Sequence, residues 1–223
     1  MPSGIMTPGK FITFEGGEGV GKSTQAKLLV ERLARRGINA ILTREPGGSP
    51  FAEQVRSFIL DPGTPTHGAL AEALLFYAAR ADHLQQTIRP TLSAGGWVVC
   101  DRFSDSTRVY QGLAGGVGPD VIEALERLVV SDHGPDLTVV LDLDPKEGLG
   151  RVGRRGTMAP APTDADRFEG RELIFHERLR AGYLALAHAE PQRCVVFDAT
   201  RPPADIAAAV WQAVEQRLLA GAR

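Results

Sequence analysis

The chain has 223 residues, a formal net charge of −2, and 43% hydrophobic against 23% charged residues, the balance of an ordinary globular protein rather than a disordered one. That charge argues against a generally basic nucleic-acid binder; two cysteines are too few for a disulfide scaffold, and no C-x-x-C or H-E-x-x-H spacing offers a protein-held structural zinc. No run of ~18 apolar residues predicts a membrane span, and residues 1–9 lack the basic start and apolar stretch of a signal peptide, so they read as a short disordered tail on a cytoplasmic protein.

Short apolar runs then alternate with longer amphipathic stretches, the pattern of βαβ units. Lys10–Glu15 predicts the first strand. Lys22–Arg36 predicts a helix, with Leu28, Leu29 and Leu33 at core spacing and Gly37 as its stop. Ala40–Arg44 is the second expected strand, followed by helices at Phe51–Leu60 and Gly68–Leu92; Pro90 falls near the end of the latter, where a proline kinks a helix. Trp97–Asp101 is the third strand, Pro119–Ser131 a helix, Leu137–Leu143 the fourth strand and Pro145–Val152 a helix. Helices at Glu169–His188 and Pro203–Ala220 flank the last strand, Cys194–Asp198. The runs WVVC, LTVVL and CVVF are nearly continuous, as in strands covered on both faces, and Cys100 and Cys194 within them read as buried thiols. Gly153–Asp166 has no core pattern and reads as a mobile surface loop between two helices. No linker separates two cores, so residues 10–223 read as one domain.

The strand FITFE runs into Gly16-Gly17-Glu18-Gly19-Val20-Gly21-Lys22-Ser23, a G-x-x-x-x-G-K-[ST] loop that opens a helix. Glycines let such a backbone fold around phosphates, and the helix adds the positive end of its dipole. Gly16–Thr24 is therefore the candidate ATP site, Lys22 reaching the β- and γ-phosphates and Ser23 holding Mg²⁺. No N-K-x-D motif reads guanine, and no apolar strand ends in Asp-Glu, which weakens the cases for a GTPase and for a motor ATPase. The third strand ends instead in Asp101-Arg102: a carboxylate placed for Mg²⁺ beside a guanidinium placed for a second phosphate. Two phosphate sites around one metal imply phosphoryl transfer between two nucleotides or metabolites; a plain surface ion pair is the alternative reading of this pair.

The stretches EGGEGVGKST, TREPGG, LLFYAAR, DRF with STRVYQG, and DRFEGRELIFHERLRAGYLALA together resemble bacterial thymidylate kinases, in register from about Lys10 to Leu186. The resemblance implies a five-stranded parallel sheet of order 2-3-1-4-5 flanked by helices, ATP and dTMP as substrates with Mg²⁺, and a homodimer; charge and the lack of an apolar run already speak against nucleic-acid and membrane partners. It implies that Phe76 stacks on thymine, a residue that would otherwise read as core. It further implies that Arg80, four residues on along one helix face, donates to an exocyclic oxygen of the base. Arg56 and Arg102 would grip the monophosphate, Glu18 would meet the acceptor's 3′-hydroxyl, and Thr107, Tyr110 and Gln111 would line the sugar and base pocket, with Tyr110 crowding the 2′ position. Arg44 and Glu45 border that pocket without an assigned contact. Some relatives carry arginine at position 19 to reach the transferred phosphate; Gly19 here resembles the type that supplies arginine from a lid, about 151–167, with Arg151 and Arg155 as catalytic candidates, Arg154 as an extra one and Arg167 behind them. Arg108 stands where many relatives have a neutral residue, and Asp142 reads equally as a metal or lid partner and as a structural carboxylate. Lys22, Arg102, Arg155 and Arg151 form the expected catalytic set, with Ser23 and Asp101 for the metal. A kinase for another nucleoside monophosphate and a nucleotide-dependent switch without an acceptor are the rival expectations.

Overall fold

A computed structural model describes residues 9–65, 67–156 and 172–220, for 155 and 156 the backbone alone. The strands are β1 Phe11–Glu15, β2 Ala40–Arg44, β3 Trp97–Asp101, β4 Leu137–Asp142 and β5 Cys194–Asp198. They pair in parallel in the order β2-β3-β1-β4-β5, Phe14 lying opposite Asp101 on one side and Val139 on the other. The expected sheet and its order are thus present.

The three central strands β1, β3 and β4 are apolar on both faces because helices cover both, whereas the edge strands β2 and β5 expose Leu42 and Val196, so the run CVVF is not covered on both faces as expected. Along β1, Ile12 and Phe14 join Val99, Val139 and Leu141 under α1 (Lys22–Arg35) and α9 (Pro203–Val214), with Leu29, Leu33 and Trp211 completing that layer. Phe11 faces the other way, into a layer with Val98, Cys100 and Phe103. The period of two is the pleat. On the second face Thr13 and Thr138 share a buried 3.0 Å hydrogen bond.

The remaining helices are α2 Pro50–Leu60, α3 Ala69–His83, α4 Arg89–Ser93, α5 Ser104–Thr107, α6 Pro119–Val129, α7 Pro145–Gly156 and α8 Leu173–Ala189. The single long helix expected from Gly68 to Leu92 is interrupted by a π turn, Leu84–Ile88, in which Arg89 N–H donates to the carbonyl five residues back. Pro90 follows at once; it cannot donate to the helical ladder, and the widened turn ahead of it absorbs the break. The loop expected from Gly153 is helical over Gly153–Gly156, the end of α7, and the rest of that stretch, to Asp166, lies outside the described residues. So do residues 1–8 of the expected tail, while Gly9 lies against the backbone of Leu92 and Gly96.

Candidate active site

The carboxyl ends of β1, β2 and β3 open on one cleft of about 330 Å³, where a parallel sheet of this kind binds ligands. Its floor is the loop between β1 and α1. Gly21, at φ +98°, is the N-cap of α1 and no side chain caps that helix, which leaves the backbone donors of its first turn for an anion. Lys22 is 8% exposed and donates to the carbonyls of Gly16 at 3.2 Å and Gly17 at 2.7 Å. Burial and the neighbouring Arg102 lower its pKa to about 8, so it stays charged at neutral pH. Ser23 Oγ donates to the Asp101 carboxylate, bringing hydroxyl and carboxylate oxygens together on the cleft wall that Lys22 also lines. Gly19, at φ +70°, meets the first turns of α7 so closely that a Cβ there would lie 2.1 Å from the Gly148 carbonyl oxygen.

Arg102 turns the chain out of β3 in a left-handed conformation, φ +68°, unusual for a side-chain-bearing residue. Its guanidinium returns over the loop. Nη2 donates to Glu18 Oε1 at 2.6 Å; Nη1 donates to Gly16 O at 3.0 Å, and to Ser106 Oγ and Tyr183 Oη at 3.2 Å each. Tyr110 Oη donates to the same Glu18 oxygen at 2.6 Å. Burial pushes the Glu18 carboxyl up, but Arg102, Lys22 and the Tyr110 hydroxyl outweigh it and hold it down at about 2.

The far wall comes from α3 and the segment after β3. Arg80, 1% exposed, donates from Nε to Glu45 Oε2 at 2.7 Å and from Nη2 to Thr107 Oγ1 at 3.1 Å. Its guanidinium lies 4.7 Å over Tyr77 and 5.2 Å over Phe103, and its buried Nη1 has no hydrogen-bond partner among the described residues. Glu45 also meets Nδ1 of fully buried His83 at 3.0 Å, and His83 Nε2 meets Thr43 Oγ1 at 2.8 Å. Half-buried Phe76 lines the cleft one helical turn before Arg80. Gln111 donates to buried Glu72 at 2.8 Å, and Arg56 to Pro46 O at 2.9 Å. Thr107, Tyr110 and Gln111 sit on α5 and a π-helical continuation, Arg108–Ala114, a helical stretch absent from the expected elements.

Of the expected site residues, Glu18, Gly19, Gly21, Lys22, Ser23, Thr24, Arg56, Phe76, Arg80, Asp101, Arg102, Thr107, Tyr110 and Gln111 all line this cleft. Gly16, Gly17 and Val20 line a smaller adjoining hollow behind the loop. Arg151 is not on the cleft: it donates to Glu147 at 2.7 Å and to Ala199 O at 3.1 Å. The Arg155 side chain and Arg167 lie outside the described residues. Asp142 pairs with Arg180 through two bonds of 2.7 and 2.9 Å and lines the hollow behind the loop. Arg108 pairs with Asp105 and Glu190, away from the cleft. The sequence reading left Glu45 without a contact and passed over His83, Ser106 and Tyr183. The signals were the acid inside TREPGG for Glu45, polar residues inside apolar helix patterns for His83 and Tyr183, and the leading serine of STRVYQG for Ser106.

The sequence model of the thymidylate kinase family matches residues 14–210. A thymidylate kinase of Rhodopseudomonas palustris (strain BisB18) is 52% identical over 220 residues, covering 98% of this chain and 94% of its own. One of Nitrobacter winogradskyi is 53% identical over 212 residues, covering 95% and 90%. The crystal structure of thymidylate kinase from Ehrlichia chaffeensis superposes with a TM-score of 0.73 at 33% identity, over 93% of this chain and 99% of that one. A loop of phosphate-binding pattern and a buried polar wall at the carboxyl ends of one sheet, and sequence identity of this extent, lead to the same place: the chain belongs to the thymidylate kinase family.

Proposed function

We infer that the protein transfers the γ-phosphoryl group of ATP to the 5′-phosphate of dTMP, giving dTDP for dTTP synthesis. The observation that carries this reading is a single cleft with a Lys22 phosphate loop on one side and, on the other, Phe76 beside Arg80, whose buried Nη1 has a hydrogen-bond donor to spare. The exocyclic oxygen at position 4 of thymine accepts such a donor, whereas the amine of cytosine cannot. A coupled ADP-release assay with dTMP, dUMP, dCMP and UMP tests it: dTMP leads, and equal kcat/KM for dCMP or UMP refutes the base assignment.

The acceptor oxygen is already anionic, so transfer is direct and in line without a general base. Lys22 offsets charge on the β- and γ-phosphates, and Arg102, held between Glu18 and Gly16, spans the acceptor and transferred phosphates. Arg56 grips the acceptor phosphate. Tyr110, fixed by Glu18, bars a 2′-hydroxyl, and Glu18 meets the 3′-hydroxyl. Ser23 and Asp101 are the hard oxygen donors that Mg²⁺ prefers, and a site of one carboxylate and one hydroxyl fits an ion held mainly by phosphates and water. When bound, Mg²⁺ supplies charge neutralisation for the phosphates.

Residues 151–167 act as a lid that brings Arg155 and Arg151 to the transferred phosphate once ATP is bound. Two copies of the chain associate through α2 and α3, where Phe51, Phe58, Leu70 and Leu74 stand about half exposed. No helix among the described residues is long and apolar enough to cross a membrane. The reading as an enzyme of nucleotide synthesis places it in the cytoplasm.

A further inference from the structure

Glu15 closes β1 one residue before the phosphate loop, is fully buried, and has no part in the chemistry above. Its Oε1 accepts the Phe103 N–H at 2.7 Å; its Oε2 accepts the Ser106 hydroxyl at 2.7 Å and lies 3.3 Å from the Tyr183 hydroxyl oxygen. The Ser106 and Tyr183 hydroxyls lie 2.8 Å apart, and each lies 3.2 Å from Arg102 Nη1.

A guanidinium only donates, and a hydroxyl carries one proton. Ser106 and Tyr183 can therefore accept from Arg102 only if both protons point elsewhere. The carboxylate of Glu15 gives them a direction: Tyr183 donates to Ser106, Ser106 donates to Glu15, and the lone pairs are left facing Nη1. We propose that Glu15 is a positioning residue for Arg102, acting through Ser106 and Tyr183, whose hydroxyls it holds as acceptors. This rests on the reading of Arg102 as the residue that spans the two phosphates.

Glu15→Gln is nearly isosteric and still cannot substitute. With its amide oxygen on Phe103, its NH₂ donates to Ser106 and turns the hydroxyl protons toward Arg102. With its oxygen on Ser106, the NH₂ faces the Phe103 N–H, donor against donor. Burial and the neighbouring Asp105 push the Glu15 carboxyl up to about 7, so kinetics at pH 8 read its ionised form.

The experiment is a double-mutant cycle between Glu15→Gln and Arg102→Lys, read as kcat at saturating ATP and dTMP, with ATP affinity measured by calorimetry. Misplacement of a catalytic group by ~1 Å can cost ~10²-fold. The expected result is that Glu15→Gln lowers kcat by ~10- to 10²-fold in the wild-type background, leaves ATP affinity within about twofold, and costs less than about twofold further in Arg102→Lys. Equal losses in both backgrounds, or a wild-type kcat for Glu15→Gln, overturn the positioning role. If Glu15→Gln does not fold, Ser106→Ala removes the relay and keeps the bond from Phe103 to Glu15. It is expected to lose about tenfold in kcat, again not additively with Arg102→Lys, and a wild-type kcat overturns the proposal. A wild-type kcat for Arg102→Lys alone overturns the phosphate reading of Arg102 and the positioning role with it. A crippled Arg102→Lys beside an additive Glu15→Gln overturns the positioning role alone.

Discussion

Lys22→Met should make the protein more stable while removing its activity. The ammonium is 8% exposed, and its pKa falls from 10.5 to about 8 on folding because burial, reinforced by Arg102, disfavours the charge. At 1.36 kcal/mol per pK unit, keeping that charge inside the fold costs ~3 kcal/mol. Methionine keeps the stem and drops the charge. It also leaves the carbonyls of Gly16 and Gly17 without their donor, returning ~1–2 kcal/mol of the gain. The net is a stabilisation of ~1–2 kcal/mol, and in a chain of this size ~2–4 °C per kcal/mol makes that a rise of ~2–8 °C in Tm. The gain has a pH signature. Below pH 8 lysine is charged in both folded and unfolded chains and the full cost is present; between 8 and 10.5 only the unfolded chain holds the proton, so wild-type stability rises with pH and the gap closes. Titrations of groups remote from Lys22 cancel in the difference. Thermal melts of both proteins from pH 7 to 10.5, with turnover at pH 7.5, make the assay; turnover should fall at least ~10²-fold. A variant that melts at or below wild type at pH 7, or a gap that ignores pH, refutes the burial cost.

Arg80→Met should bring the preference for dTMP over dCMP from at least ~10-fold to near unity in kcat/KM. It should also lower stability by ~3–5 kcal/mol, because Glu45 is left buried beside His83 alone. Arg155→Ala should lower kcat by ~10³-fold while calorimetric affinities for ATP and dTMP hardly move, and a loss below tenfold shifts the role to Arg151 or Arg154. Phe58→Glu combined with Leu74→Glu charges the half-exposed face of α2 and α3 and should give a monomer by light scattering; a dimer of wild-type mass places the interface elsewhere.

The central strands were readable because they are covered on both sides, which forces continuous apolar runs such as Val98-Val99-Cys100. The helical stretch Ser104–Ala114 was not readable. Its Ser, Asp, Thr, Val and Gly residues favour other structure, and it is held by distant partners: Asp105 receives Arg193 through bonds of 2.6 and 2.8 Å. The site divides the same way. The phosphate loop is contiguous, so its spacing alone identifies it. The bonds that fix its neighbours join residues 35 apart for Glu45 and Arg80, 84 for Glu18 and Arg102, and 91 for Glu15 and Ser106. The family resemblance supplied the residues that face the cleft and left unassigned those that hold them from behind.

The contact between Gly19 and Gly148 bears on how a kinase of this shape can change. Neither residue has room for a side chain: a Cβ on Gly19 would reach the Gly148 carbonyl oxygen at 2.1 Å, and a Cβ on Gly148 would reach the carbonyl oxygen of Glu18, the residue before Gly19, at 2.3 Å. An arginine at position 19 therefore cannot be installed by one substitution; it requires the start of α7 to draw back from the loop. Moving α7 moves the base of the segment that carries Arg151 and Arg155. With the lid role proposed above, an arginine on the loop and one from the lid exclude each other sterically, and exchanging one for the other requires α7 to shift as well.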